Sequence, residues 1–131
     1  MNRFQSGPVL RASARPDAPM QVVMTGHYDT VFPKGTFEAI TDLGGGKLNG
    51  PGLCDMKGGI CVMLEALKAF ESGPLKDRLG YQVILSPDEE IGNHASNDAI
   101  MTAARSAHIG LTFEPCMEDG SFSGARKGSA V

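Results

Sequence analysis

Three short apolar and β-branched runs alternate along this chain with two stretches of helical period. Residues 20–25 (MQVVMT), 81–85 (YQVIL) and 109–113 (IGLTF) have the make-up of buried strands. After Gly59 the period changes. Ile60, Met63, Leu64, Leu67 and Phe70 fall at i, i+3, i+4, i+7 and i+10, with Glu65, Lys68 and Glu71 on the other side, which predicts an amphipathic helix ended by Gly73-Pro74. Met63 and Phe70 read as core packing. Residues 97–107 (NDAIMTAARSA) predict a second, less amphipathic helix. The order strand, helix, strand, helix, strand specifies an α/β fold: a mostly parallel sheet with helices on both faces. Residues 36–52 suggest a small hairpin with a glycine turn, and GARKGSAV at residues 124–131 resembles the start of another strand.

Bulk properties narrow the function. A chain of 131 residues is one domain's worth and buries roughly two-thirds of its unfolded surface. Fifteen acids against twelve bases give a net charge of -3, which argues against nucleic acid or an anionic membrane as partner. No apolar run approaches the roughly 20 residues needed to span a bilayer, and the start lacks a signal-like apolar segment. Cys54, Cys61 and Cys116 have no CxxC spacing, so neither a disulfide framework nor a cysteine zinc site is expected. A reducing, cytoplasmic location follows as the expectation, with any leader of a longer protein lying upstream. Cys54 reads as a small buried residue.

The acids are not scattered. SPDEEIGN (86–93) places Asp88, Glu89 and Glu90 together directly after a strand. Alone, it reads as a capped helix N-terminus, where acids suit the dipole. In open parallel sheets, however, sites gather beyond the carboxyl ends of the strands. His27 and Asp29 follow the first strand, Glu89 and Glu90 the second and Glu114 the third, while Asp55 lies in the glycine-rich loop entering the first helix. The convergence makes a candidate site.

His27, Asp55, Glu90 and Glu114 offer nitrogen and carboxylate oxygen, donors that suit zinc, cobalt or manganese. The spacing of two from His27 to Asp29 lets both side chains point the same way, so Asp29 can accept the second ring N–H and leave the other nitrogen for a metal. Glu89 and Glu90, if extended, face different directions: one can bind metal while the other handles a proton. Asp88 fits a capping or supporting role. The glycine-lysine stretches GGGKLNG and GPGLCDMKGG do not match a phosphate loop.

GHYDT (26–30), GPGLCDMKGG (50–59), PDEEIG (87–92) and FEP (113–115) occur in this order. Together they resemble the dinuclear-zinc hydrolases that include aminoacylase, acetylornithine deacetylase, succinyl-diaminopimelate desuccinylase and glutamate carboxypeptidase. The GPG form of the second motif, with GHYDTVFPKG and FEP, looks most like the glutamate carboxypeptidase branch. The resemblance implies that His27 and Glu114 bind one zinc, Asp55 bridges two, Glu90 binds the second, Glu89 is the general base and Asp29 orients His27. It also implies a cis peptide between Asp55 and Met56.

A further zinc-binding histidine and a dimerisation (lid) domain, both present in the family, find no counterpart in these residues. Residues 1–131 are therefore expected to be a partial catalytic domain of a zinc-exopeptidase-like protein, inactive alone, whose full-length form is a homodimer. The expected reaction releases a C-terminal amino acid from a small peptide or N-acyl substrate by a metal-activated water. The alternatives are N-acyl-amino-acid deacylation and an inactive metal-binding fragment.

Overall fold

The computed structural model describes residues 7–117 and 119–122. Six strands and two α-helices are present among them: β1 (Leu10–Ala14), β2 (Met20–His27), β3 (Thr41–Gly44), β4 (Lys47–Asn49), α1 (Gly58–Glu71), β5 (Leu79–Ser86), α2 (Asn97–Arg105) and β6 (Ile109–Thr112). The main sheet has the order β1-β5-β2-β6. β5, β2 and β6 run parallel, and β1 joins the edge antiparallel. β3 and β4 form the separate hairpin suggested by the glycine turn. The GARKGSAV segment lies outside the described residues.

Alternate residues of β2 feed two cores, as period-two side chains must. Val22 and Met24, with Val83 of β5, pack against Met63 of α1, joined by half-buried Leu67 and Phe113. Val23 and Ile84 face the other way and pack against Ala99 and Ala103 of α2. Small alanines let α2 lie close to the sheet. Helices thus cover both faces of the three parallel strands.

α1 follows the expected helical period with one adjustment. Met63 is its fully buried anchor, whereas Leu64 is exposed. It faces an apolar groove of about 500 Å³ between β1 and α1. The helix ends at Glu71, just ahead of the expected Gly73-Pro74 stop, where the Gly73 N–H turns back to the Phe70 carbonyl at 2.9 Å.

β1 is the element the hydrophobic pattern did not suggest. Its residues are largely exposed, and it is held by five backbone pairings with β5, from Leu10↔Leu85 to Ala14↔Tyr81. Arg15 then fastens the end of β1. Its guanidinium pairs with both carboxylate oxygens of Glu71, donates from Nε to the Leu79 carbonyl at 2.9 Å, and lies over the rings of Phe70 and Tyr81. The ion pair holds the Arg15 pKa above, and that of Glu71 below, its ordinary value.

Candidate functional site

The parallel strands deliver their acids to one rim. β2 runs two residues further than its apolar run, so His27 is its last residue and pairs with Ser86 of β5. The His27 ring is 1% exposed. Its Nε2 lies 2.9 Å from Asp55 Oδ1, 3.8 Å from Glu114 Oε1 and 4.0 Å from Glu89 Oε2. Its Nδ1 faces Asp29 Oδ1 at 3.3 Å. That pair is close without being aligned as a hydrogen bond, and both atoms are buried with no other partner.

Asp55 sits in an irregular turn, Leu53–Lys57, that leads into α1. Its peptide bond to Met56 is cis. Met56 is fully buried, with its side chain against Gly26 of β2, while the Asp55 side chain remains 56% exposed beside His27. The loop is closed by the Lys57 N–H to the Gly52 carbonyl at 2.8 Å and by Lys57 Nζ to the Pro51 carbonyl at 3.0 Å. Glu114 comes two residues after β6. The approach of α1 to that strand end is close: a Cβ on Gly59 would lie 1.9 Å from the Phe113 carbonyl oxygen.

Glu89 and Glu90 are not in extended backbone. They lie in a single 3₁₀ turn, Glu89–Ile91, where successive side chains still diverge. The turn is held to the first motif by the Glu90 N–H, which donates to Asp29 Oδ2 at 3.1 Å. Asp88 does not cap this turn with its side chain. Buried to 1% exposure, it reaches past the turn to accept the N–H of Ala95.

The electrostatics are those of crowded acids. Burial raises the pKa of Glu90, and Asp55 raises it further; burial likewise raises that of Glu114, with Asp55 and Glu89 adding to it. Burial works to lower the pKa of His27. Its hydrogen bond to Asp55 and the charges of Glu114, Glu89 and Asp29 outweigh that and hold it above the ordinary value. Ligand atoms of His27, Asp55 and Glu114 all lie within 4.8 Å of one another. A buried imidazole ringed by carboxylates that resist ionisation is a donor set a divalent cation fits, because its charge relieves their repulsion. The Glu90 carboxylate is outside that group of three, beside it.

The profile of peptidase family M20/M25/M40 matches residues 23–127. This chain belongs to that family. Carboxypeptidase G2 from Pseudomonas sp. (strain RS-16) is 37% identical to it over 95 residues, 72% of this chain and 23% of that protein. The M20 chain thus spans less than a quarter of the relative's length. The resemblance carried by GHYDT, GPGLCDMKGG, PDEEIG and FEP holds, including its carboxypeptidase branch.

Two features of this M20 site escaped the sequence pattern. Cys54, read there as buried, is exposed, because Met56 rather than Cys54 is the residue its loop inserts under β2. Lys57 acts on the backbone of the Asp55 loop, and its only local signal was its place two residues after Asp55; Asp88 takes the supporting role expected of it, on the Ala95 N–H. No helix among the described residues is long and apolar enough to cross a membrane.

Proposed function

We propose that this M20 chain carries the proton-handling and much of the metal-holding part of an amidohydrolase. The reaction releases a C-terminal, glutamate-like amino acid from a small peptide or N-acyl substrate. One observation carries the reading: His27, Asp55 and Glu114 place three donor atoms within 4.8 Å of one another, with Glu89 4.0 Å from the same imidazole nitrogen. The similarity to a carboxypeptidase over 72% of the chain supports the substrate class.

In this reading His27, Asp55, Glu90 and Glu114 would hold a pair of zinc ions; cobalt or manganese suits the same donors. Bound there, such ions supply a Lewis acid that polarises the scissile carbonyl and makes water acidic near neutral pH. Glu89 is the chain's own proton carrier. Exposed at the rim, it takes a proton from the attacking water and returns it to the leaving amine. Asp29 holds the His27 ring from behind and, through the Glu90 N–H, holds the turn that bears Glu89. Both acids therefore keep their place relative to the imidazole.

The test uses the full-length protein of which this chain is part. Zinc content and release of free glutamate from N-acyl-glutamates are measured for wild type and Glu89→Gln. The expected result is about two zinc ions in both proteins and turnover in wild type alone. Turnover by the zinc-loaded variant would remove Glu89 from its role. Faster cleavage of N-acetyl derivatives of basic amino acids would move the protein to the deacylase side of the family. Zinc binding with no turnover of either class would make it a metal-binding protein on a hydrolase scaffold.

A further inference from the structure

We propose that Asp88 is a positioning residue of the hydrolytic site, and that its buried carboxylate sets where Glu89 and Glu90 stand relative to His27. The inference rests on the amidohydrolase reading for its kinetic consequence. Its structural basis is separate.

Asp88 is 1% exposed and leaves β5 two residues after Ser86, so its backbone is anchored in the sheet. From there it closes the acid-bearing loop at its neck with two bonds. Its main-chain carbonyl accepts the N–H of Asn93 at 2.7 Å, and its side-chain Oδ2 accepts the N–H of Ala95. Ala95 is followed by Ser96, which is fully buried, and then by α2, which is packed on the sheet through Ala99 and Ala103. The loop's far end is tied to the same helix: Ser96 Oγ donates to Asn93 Oδ1 at 2.9 Å, and the Asn97 N–H donates to the Asn93 carbonyl at 2.9 Å.

Between these anchors lies the turn Glu89–Ile91, closed by the Gly92 N–H to the Glu89 carbonyl at 2.9 Å. Gly92 and Asn93 take φ values of 95° and 54°, so the chain reverses within the loop instead of running on as a helix. The turn is therefore gripped at the neck by Asp88 and on one flank by Asp29. Glu89 and Glu90 have no other main-chain hydrogen bond to the sheet or to α2 among the described residues.

A carboxylate suits the neck. A buried amide N–H left without an acceptor costs about 1–3 kcal/mol, and an ionised acceptor bonds it more strongly than a neutral one. Asp88 Oδ1 has no partner of its own. An amide in its place keeps the Ala95 bond through its oxygen but is neutral, and it turns an NH2 group toward Ser96, whose hydroxyl and N–H both favour the carboxylate. Asp88→Asn is therefore a partial replacement, and Asp88→Ala removes the tie outright.

The experiment compares wild type, Asp88→Asn, Asp88→Ala, Glu89→Ala and the double variant Asp88→Asn/Glu89→Ala in the full-length protein. Folding is checked by circular dichroism, and zinc affinity by competition with a chelating dye. For Asp88→Ala, kcat is expected to fall about 10- to 100-fold, with KM within about threefold. Asp88→Asn should lie between it and wild type. In the Glu89→Ala background, which has no turnover to read, Asp88→Asn should lower zinc affinity by the same factor as in wild type, because its hold on Glu90 does not pass through the Glu89 side chain.

Unchanged kcat in a folded Asp88→Ala overturns the proposal, as does a zinc affinity in the double variant equal to that of Glu89→Ala. If Asp88→Ala does not fold, Asp88→Asn and the cycle decide. If wild type turns over no acyl-amino acid, the hydrolase reading fails, and zinc affinity still judges Asp88. A loss of about tenfold or more in Asp88→Asn supports its hold on Glu90, and equal affinity refutes it.

Discussion

The Asp29 carboxylate joins two motifs that lie 61 residues apart: its Oδ2 accepts the Glu90 backbone N–H at 3.1 Å while its Oδ1 faces the His27 ring at 3.3 Å. One side chain thus fixes the distance between the imidazole and the turn that carries both glutamates. Asp29→Ala frees the ring and the turn together. We expect a loss of about 10- to 100-fold in both zinc affinity and kcat. Asp29→Asn can still accept the Glu90 N–H through its oxygen, so it should retain more activity than Asp29→Ala. Zinc titration and steady-state kinetics on the full-length protein check this order; equal effects of the two variants would mean that the tie to Glu90 is unimportant.

Gly59 tests how Glu114 is seated. Alanine within a helix is ordinarily more favourable than glycine by roughly 0.5–1 kcal/mol. Here an added Cβ would fall 1.9 Å from the Phe113 carbonyl oxygen, which is backbone at the end of β6 and cannot swing aside. The clash decides the sign. Gly59→Ala should destabilise the chain by about 1–3 kcal/mol and weaken zinc binding, because relief of the clash moves Phe113 and with it Glu114. Chemical denaturation together with zinc titration reads both effects, and a variant more stable than wild type would contradict the close approach.

Met63 tests the core itself. It is 1% exposed and is the only fully buried side chain of α1, meeting Val22, Met24 and Val83. Met63→Ala should cost about 2–5 kcal/mol by removing burial and leaving a cavity. Leu64→Ala, one residue away and 49% exposed, should cost much less. Parallel denaturation curves measure the difference, and similar losses would place the helix in another rotation.

These residues also show why part of the molecule was legible beforehand. Val22 to Met24, Val83 to Leu85 and the i, i+3, i+4 stripe around Met63 write their partners into local periodicity. The parallel sheet followed from their order, and the rim bearing His27, Glu89, Glu90 and Glu114 followed from the sheet. β1 was not legible because its stability comes from pairing Leu10 to Ala14 with residues some 67–75 positions away, and local hydrophobicity carries no trace of that register. The backbone of Glu89 and Glu90 was misjudged for a related reason. The bonds that curl it into a turn run to Asp29 and around the loop neck at Asp88, both decided by tertiary structure.

The metal-free chain should have an unusual pH dependence. His27, Glu90 and Glu114 all have pKa values raised above their ordinary values of 6.5, 4.5 and 4.5. A raised value means that the folded state holds its proton more tightly than the unfolded one, so stability falls as pH rises through the interval between them. For His27, the stabilising contribution is complete below 6.5 and is lost as pH climbs past the folded value. For Glu90 and Glu114, the penalty begins at 4.5 and grows as they ionise. Glu71 and Asp88 work oppositely, with lowered values whose benefit fades only as pH drops through the acidic range. With chelator present, the thermal midpoint should therefore decline from about pH 5 to about pH 8. Zinc should reverse that slope, because ligands must shed their protons to bind it, and the metal then offsets the repulsion that the chelated chain carries. A midpoint that rises with pH in chelator would show that the carboxylates and imidazole of this rim do not share one electrostatic field.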